Sequence, residues 1–248
     1  DDMKGTYLGP NFSDYEIEEE LKSCGANFKK CTENELIDEV VNALIDEKAI
    51  GWMQGRMEFG PRALGGRSII ADPRSTKMQK QLNLKVKYRE SFRPFAPSVL
   101  SEDVNEWFEL KKESPYMLLV SEVKKHKCLE MTDKEKKLFG IEKLNIPRSS
   151  IPAITHVDYS ARIQTVHAET NPKYHTLISK FKEKTGCSLV VNTSFNVRVE
   201  PIVCNPKDAF KCFMGTDLDI LAVGNYLLRK EDQDKSLKEN YKERYELD

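Results

Sequence analysis

Leu189-Val190-Val191 is an unbroken apolar run that follows Gly186 and leads directly into Asn192-Thr193-Ser194-Phe195-Asn196. Residues 188–192 read as a short buried strand, and a strand of this kind needs a sheet and covering helices around it. The polar run sits at the strand's C-terminal end, where α/β folds place ligands. An Asn/Ser turn of no special function is the competing reading.

The rest of the chain supplies the partners. Ser13-Asp14-Tyr15-Glu16 and Thr32-Glu33-Asn34-Glu35 are capping boxes that open helices. Behind the second, Leu36, Ile37, Val40, Val41, Leu44 and Ile45 form a helical stripe expected to end near Lys48. Strands are expected over Ala49–Gln54, Phe95–Leu100 and Tyr116–Val123. A helix is expected near Lys77–Asn83, and Ser101 caps a short one ending at Trp107-Phe108. Residues 124–150 are charged and weakly periodic and read as a surface insertion. Ala153–Val157 and Arg162–Val166 read as a hairpin across Asp158-Tyr159-Ser160. Asn171-Pro172 opens a helix closed by Gly186, and Asn205-Pro206 opens another. Leu218–Val223 and Tyr226–Leu228 are late strands. The class is therefore α/β (α+β) with an antiparallel component. The expected organisation is an irregular linker over 1–12, one domain over 13–228 and a charged tail over 229–248.

Composition excludes several functions. The 39 Lys+Arg and 40 Asp+Glu of the 248 residues give a net charge of −1, which argues against a whole-chain grip on nucleic acid or an anionic membrane. No apolar run approaches the roughly 20 residues of a membrane helix. The acidic start lacks the apolar core of a signal peptide. The six cysteines have no CxxC spacing, consistent with free thiols in a reducing cytoplasm. The four histidines show no metal-ligand spacing, and no paired acid–base dyad stands out. The first residue is not Met, so a piece of a longer chain is expected.

The charge is partitioned. Positions 56, 62, 67, 74, 77, 80, 85, 87, 89 and 93 are basic, against acids only at Glu58, Asp72 and Glu90. Within this stretch Met57-Glu58-Phe59-Gly60-Pro61-Arg62-Ala63-Leu64-Gly65-Gly66-Arg67-Ser68 is turn-rich and carries two arginines. Glycines admit close backbone N–H groups, and arginine forks match phosphate or carboxylate oxygens. It is neither a Walker loop nor the dinucleotide fingerprint. A solvated surface loop is the bland alternative. If Val86–Phe92 is extended, Lys87, Arg89, Ser91 and Arg93 share a face that calls for an anion, or else form a solvated edge. Tyr88, Phe92 and Phe95 would then be core residues, or stacking platforms for an RNA strand. In Ser160–Val166, Arg162 and Gln164 face one side together.

These blocks together resemble the NodU/CmcH-type O-carbamoyltransferases. The similarity is carried by Glu58–Gly65 with Arg67–Arg74, by Lys87-Tyr88-Arg89-Glu90 with Phe92–Pro97, by Ala161-Arg162 with Gln164-Thr165-Val166, and by Asn192–Asn196 with Glu200-Pro201-Ile202. It spans about residues 8–228 and concerns that family's C-terminal, YrdC-like domain. The resemblance implies a twisted mixed sheet flanked by helices around a basic concave cavity. Lys87-Tyr88-Arg89 and Ser194-Phe195-Asn196 match the Lys-x-Arg and Ser-x-Asn pairs that line the nucleotide pocket of YrdC-like proteins. The implied reaction joins carbamoyl phosphate and ATP into carbamoyladenylate and pyrophosphate, and an N-terminal metal-dependent domain, absent here, transfers the carbamoyl group to a hydroxyl. Arg62, Lys87 and Arg93 are the expected catalytic residues. Arg67, Arg89, Arg162, Asn192, Ser194 and Asn196 are expected to bind substrate or ATP. Mg²⁺ would ride on the phosphates, without a protein cage. The alternative is an RNA-binding YrdC-like module using residues 56–93.

Overall fold

A computed structural model of the chain describes residues 2–197 and 200–238. Its strands are β1 (Lys29–Lys30), β2 (Ile50–Met53), β3 (Arg67–Ala71), β4 (Ala96–Leu100), β5 (Leu119–Glu122), β6 (Ser160–Val166), β7 (Leu189–Ser194), β8 (Ile220–Val223) and β9 (Tyr226–Arg229). Its α-helices are α1 (Asp14–Ser23), α2 (Glu33–Ile45), α3 (Met78–Lys85), α4 (Val104–Trp107), α5 (Asp133–Lys136), α6 (Gly140–Leu144), α7 (Pro172–Thr185) and α8 (Pro206–Gly215). The strands form one mixed sheet in the order β1-β9-β8-β2-β3-β7-β4-β6-β5. β2–β8 and β4–β6 are parallel, and the other pairs are antiparallel. The sequence expectation of a mixed α/β sheet flanked by helices holds.

Local chemistry explains the helices. Both capping boxes form, with the Ser13 and Thr32 hydroxyls accepting from the N–H groups of Glu16 and Glu35. Leu36, Ile37, Val40, Val41 and Leu44 are fully buried where α2 packs on α7. Each such side chain contributes about 1.5–3 kcal/mol on burial. Gly186 ends α7 in the left-handed region at φ 73°.

Several expectations are corrected. Residues 153–157 form no strand. His156 N–H donates to the Ser160 carbonyl and Tyr159 N–H to the His156 carbonyl, closing a loop. Both edges of β6 are taken by β4 and β5, so long-range pairing excludes the local hairpin. Residues 86–92 are not extended, because Tyr88 adopts φ 47° beyond the end of α3. Arg67–Ala71 is an unforeseen central strand, hidden in the sequence by its leading arginine. Tyr116–Val123 shortens to β5, and its Leu118, Leu119 and Val120 are exposed.

Residues 1–12 are not a free linker. The Gly9 N–H donates to the Met57 carbonyl, the Met57 N–H to the Pro10 carbonyl and the Phe59 N–H to the Thr6 carbonyl. Nor is 229–238 a free tail, since Gln233 is buried against Asn27 and Leu237 packs on the core. The remainder of the expected tail, 239–248, lies outside the described residues. The 124–150 segment carries α5 and α6 and is tied by the Cys128–Ser149 bridge. No helix among the described residues is long and apolar enough to cross a membrane.

Candidate functional site

The four sequence blocks meet at one cavity of about 180 Å³. The turn-rich loop supplies Arg62, the segment after α3 supplies Arg89, β6 supplies Arg162, and β7 supplies Asn192 and Ser194. Phe95 and Met117 provide apolar wall. Among the described residues lining it there is no carboxylate. The Nε–H groups of Arg62 and Arg162 are shielded from solvent and donate to no acceptor among the described residues. Burial, then the Arg62 charge, pulls the Arg162 pKa down. Arg89, over the Phe95 ring at 5.1 Å, is lowered to about 10 by burial and then by Arg93. Guanidinium cations gathered at one partly buried cavity repel one another. An anion placed between them reverses that sign.

The Arg62 loop is held from inside by Glu58, which is buried. One carboxylate oxygen, Oε1, accepts from the N–H groups of Leu64 and Gly66 at 2.6 Å each and of Arg67 at 3.2 Å. Tyr7 Oη donates to the Leu64 carbonyl at 2.7 Å, and Trp52 Nε1 donates to the Gly65 carbonyl at 2.9 Å. Gly65 sits at φ 102°, and a Cβ there would lie 2.3 Å from the Tyr174 ring. Only glycine satisfies both restrictions.

Lys87 and Asn196 reach the cavity through Ser194. Lys87 is buried, and its Nζ donates to the Ser194 carbonyl at 2.5 Å, the Ser194 Oγ at 3.2 Å, and the Asn196 carbonyl and Oδ1 at 2.9 Å each. Ser194 Oγ in turn donates to Asn196 Oδ1 at 2.7 Å. Lys87 and the Ser-x-Asn pair are thus one hydrogen-bonded unit, whereas Arg89 is held separately by Asn83. Burial pushes the Lys87 ammonium down to about 7.

Two predicted residues are placed elsewhere. Arg67 is fully buried and its guanidinium is consumed by main-chain carbonyls: those of Gln54, Gly55, Gly66, Pro10 and Cys204. It clamps the loop and the N-terminal segment and does not line the cavity. Arg93 pairs with Glu90 at 2.9 Å and lines a neighbouring cavity of about 340 Å³ with Phe92, Arg148 and His156. The other side of that cavity is Leu144–Arg148 of the insertion. The basic stretch does not present its cations as one face: Arg56, Lys77, Lys80 and Lys85 are exposed, but others are internal or paired. Arg67 and Lys87 are internal, Arg74 pairs with Asp72 and Arg93 with Glu90.

Sequence reasoning missed Gln164 and Asn83 as supports. Gln164 Nε2 donates to the Leu64 carbonyl at 2.8 Å, while its Oε1 accepts from Ser98 and from Asn192 Nδ2. Asn83 accepts from Arg89 Nε at 2.7 Å and donates to the Ser91 and Arg93 carbonyls. Glu58 was visible as the one acid in the loop, but its role needs the fold. No cluster of three or more His, Cys, Asp or Glu suited to a metal ion exists among the described residues.

Residues 41–230 match the family described as "Carbamoyltransferase C-terminus", and the chain belongs to that family. An uncharacterised protein of Synechocystis is 55% identical across all of this chain, which covers 41% of that protein. Nodulation protein NolO of Bradyrhizobium diazoefficiens is 40% identical over 92% of this chain and 39% of its own length. The 3'-hydroxymethylcephem-O-carbamoyltransferase of Amycolatopsis lactamdurans is 36% identical over 69% of this chain and 28% of its own length. The chain therefore spans well under half of these relatives. The crystal structure of full-length HypF superposes with TM-score 0.48 at 17% identity, over 77% of this chain and 25% of that one.

Proposed function

We propose that this chain is the part of an O-carbamoyltransferase that binds ATP and carbamoyl phosphate and makes carbamoyladenylate. The observation that carries the reading is the convergence of Arg62, Arg89 and Arg162 on one cavity without a carboxylate among its described lining residues. Membership of the carbamoyltransferase family, and a carbamoyltransferase among the relatives, support the carbamoyl chemistry.

In this reaction carbamoyl phosphate loses inorganic phosphate to water, leaving carbamate. A carbamate oxygen attacks the α-phosphorus of ATP, the bond to the bridging oxygen breaks, and pyrophosphate leaves with that electron pair. Negative charge gathers on phosphate oxygens throughout, so positioning and preorganised cations supply the catalysis. Arg62, Arg89 and Arg162 hold and neutralise the phosphates. Lys87 fixes Ser194 and Asn196 while adding charge beneath them. Asn192, tethered to Ala63, Ser98 and Gln164, keeps the floor of the cavity rigid. Arg93 contributes from the neighbouring cavity and Arg67 through the loop that it clamps. No carboxylate is among the described lining residues, so Mg²⁺ would enter on the nucleotide, held by its phosphates and water. Transfer to a hydroxyl acceptor would fall to a metal-dependent N-terminal part of a longer protein. The unpaired cysteines support a cytoplasmic setting.

The test is pyrophosphate release from ATP, with and without carbamoyl phosphate, alongside calorimetric titration with a non-hydrolysable ATP analogue. Release that depends on carbamoyl phosphate supports the reading. Absence of both binding and release refutes it.

A further inference from the structure

Val86, Lys87 and Tyr88 are buried in succession, where a strand would alternate its side chains between two faces. The chain folds back here on the last turn of α3. The Lys87 N–H donates to the Leu82 carbonyl at 2.9 Å and the Arg89 N–H to the Asn83 carbonyl at 3.0 Å. Between them Tyr88 takes the left-handed φ of 47°. That conformation is uncommon for a bulky side chain and persists only where the surroundings over-determine it. Met117, which lines the arginine cavity, shares it at φ 55°. Strained backbone of this kind gathers at functional sites.

The Tyr88 side chain supplies the constraint. Its ring is buried, and Oη donates at 3.0 Å to the carbonyl of Gly215, the last residue of α8. Burial pushes the phenol up to about 12, so it keeps the proton that it donates. The Asp217 N–H donates to the Lys85 carbonyl at 3.1 Å, a second tie between the same two segments. The residues on either side of Tyr88 are held differently. Arg89 has its own tether, Asn83 Oδ1 at 2.7 Å. Lys87 has a long stem rooted one residue before the kink, and its Nζ must meet four oxygens of Ser194 and Asn196.

We infer that Tyr88 is the positioning residue for Lys87: its left-handed backbone turns the Lys87 stem under the end of β7, and its hydroxyl bond to α8 holds that turn. An extended segment would instead put Lys87 and Arg89 on one face. The inference rests on the phosphate-binding reading of the cavity proposed above, in which Lys87 adds charge beneath Ser194 and Asn196.

The test uses the full-length protein, calorimetric titration with pyrophosphate at fixed pH, and denaturant unfolding of each variant. Tyr88→Phe keeps the ring and deletes one hydrogen bond. It should weaken pyrophosphate binding about fivefold, the worth of one such bond. Tyr226→Phe is the reference: it deletes a hydroxyl bonded to Asp14 and Glu18 on β9, which β8, β2 and β3 separate from β7. That variant should lose stability but bind within about twofold of wild type, because its effect is structural alone. In a Lys87→Met background, Tyr88→Phe should change affinity by less than about twofold, since the group that it positions is gone. Unchanged affinity in Tyr88→Phe, an equal loss in Tyr226→Phe, or an undiminished loss in the Lys87→Met background each overturns the inference. Wild type that binds no pyrophosphate overturns the phosphate site and this inference together, whereas wild-type binding with any of those three outcomes removes only the role of Tyr88.

Discussion

Replacing Glu58 with alanine should loosen the Arg62 loop more than any surface change in that loop. The substitution removes the acceptor of three N–H groups, those of Leu64, Gly66 and Arg67. All three residues are buried, so water cannot replace the carboxylate without the loop opening. An orphaned buried donor costs about 1–3 kcal/mol. The three donors share a single oxygen, which makes their losses less than additive. The variant also recovers the desolvation cost of Oε2, which is shielded and has no hydrogen-bond partner among the described residues. A net loss of about 3 kcal/mol follows, or roughly 6–12 °C in Tm for a chain of this size. Glu58→Gln keeps an acceptor oxygen but sets an amide where Oε2 now lies, and should fall between wild type and alanine. The assay is denaturant unfolding followed by titration with pyrophosphate or an ATP analogue. Affinity in Glu58→Ala should drop at least about tenfold, because Arg62 is carried by the loop. A stability loss below about 1 kcal/mol, with unchanged affinity, would refute the reasoning.

Arg162→Ala should weaken ATP-analogue binding by more than about tenfold, whereas Arg93→Ala, ion-paired outside the cavity, should weaken it by less; calorimetry that reverses this order would move the anion site to the Arg93 cavity. Gly65→Ala should cost about 3 kcal/mol or more, because the added methyl meets the Tyr174 ring in a left-handed backbone; near-wild-type stability would contradict the packing. Lys87 has a folded pKa of about 7, below the ordinary lysine value, so between pH 7 and about 10.5 the unfolded chain binds more protons and this residue's contribution to stability rises with pH. Below pH 7 both states are charged and the contribution is flat. Lys87→Met should flatten the limb between pH 7 and 8, below the range where Lys230, itself lowered to about 8, adds its own slope, and an unchanged limb there would assign it to another group.

Short-range chemistry was legible from the residues. The capping boxes at Ser13 and Thr32, the buried stripe of α2 and the glycine end of α7 depend on side chains three or four positions apart, and these formed as read. The meeting of Arg62, Arg89, Arg162 and Ser194 was legible only through resemblance, since they come from four segments and no local rule brings them together. The hairpin at 153–166 failed because pairing of β6 with β4 and β5 satisfies the same backbone groups across a longer separation.

By itself, then, the sequence determined the class of fold, the positions of most helices and the family, because each is written in periodicity, caps or contiguous motifs. Tertiary structure alone decided which cations face the cavity. Arg62 and Arg67 look equivalent as residues five apart on one glycine-rich loop. Main-chain carbonyls from distant segments surround Arg67 and occupy its donors, while Arg62 keeps a buried Nε–H without an acceptor among the described residues. The difference lies in what packs around each guanidinium, and that is a property of the folded chain.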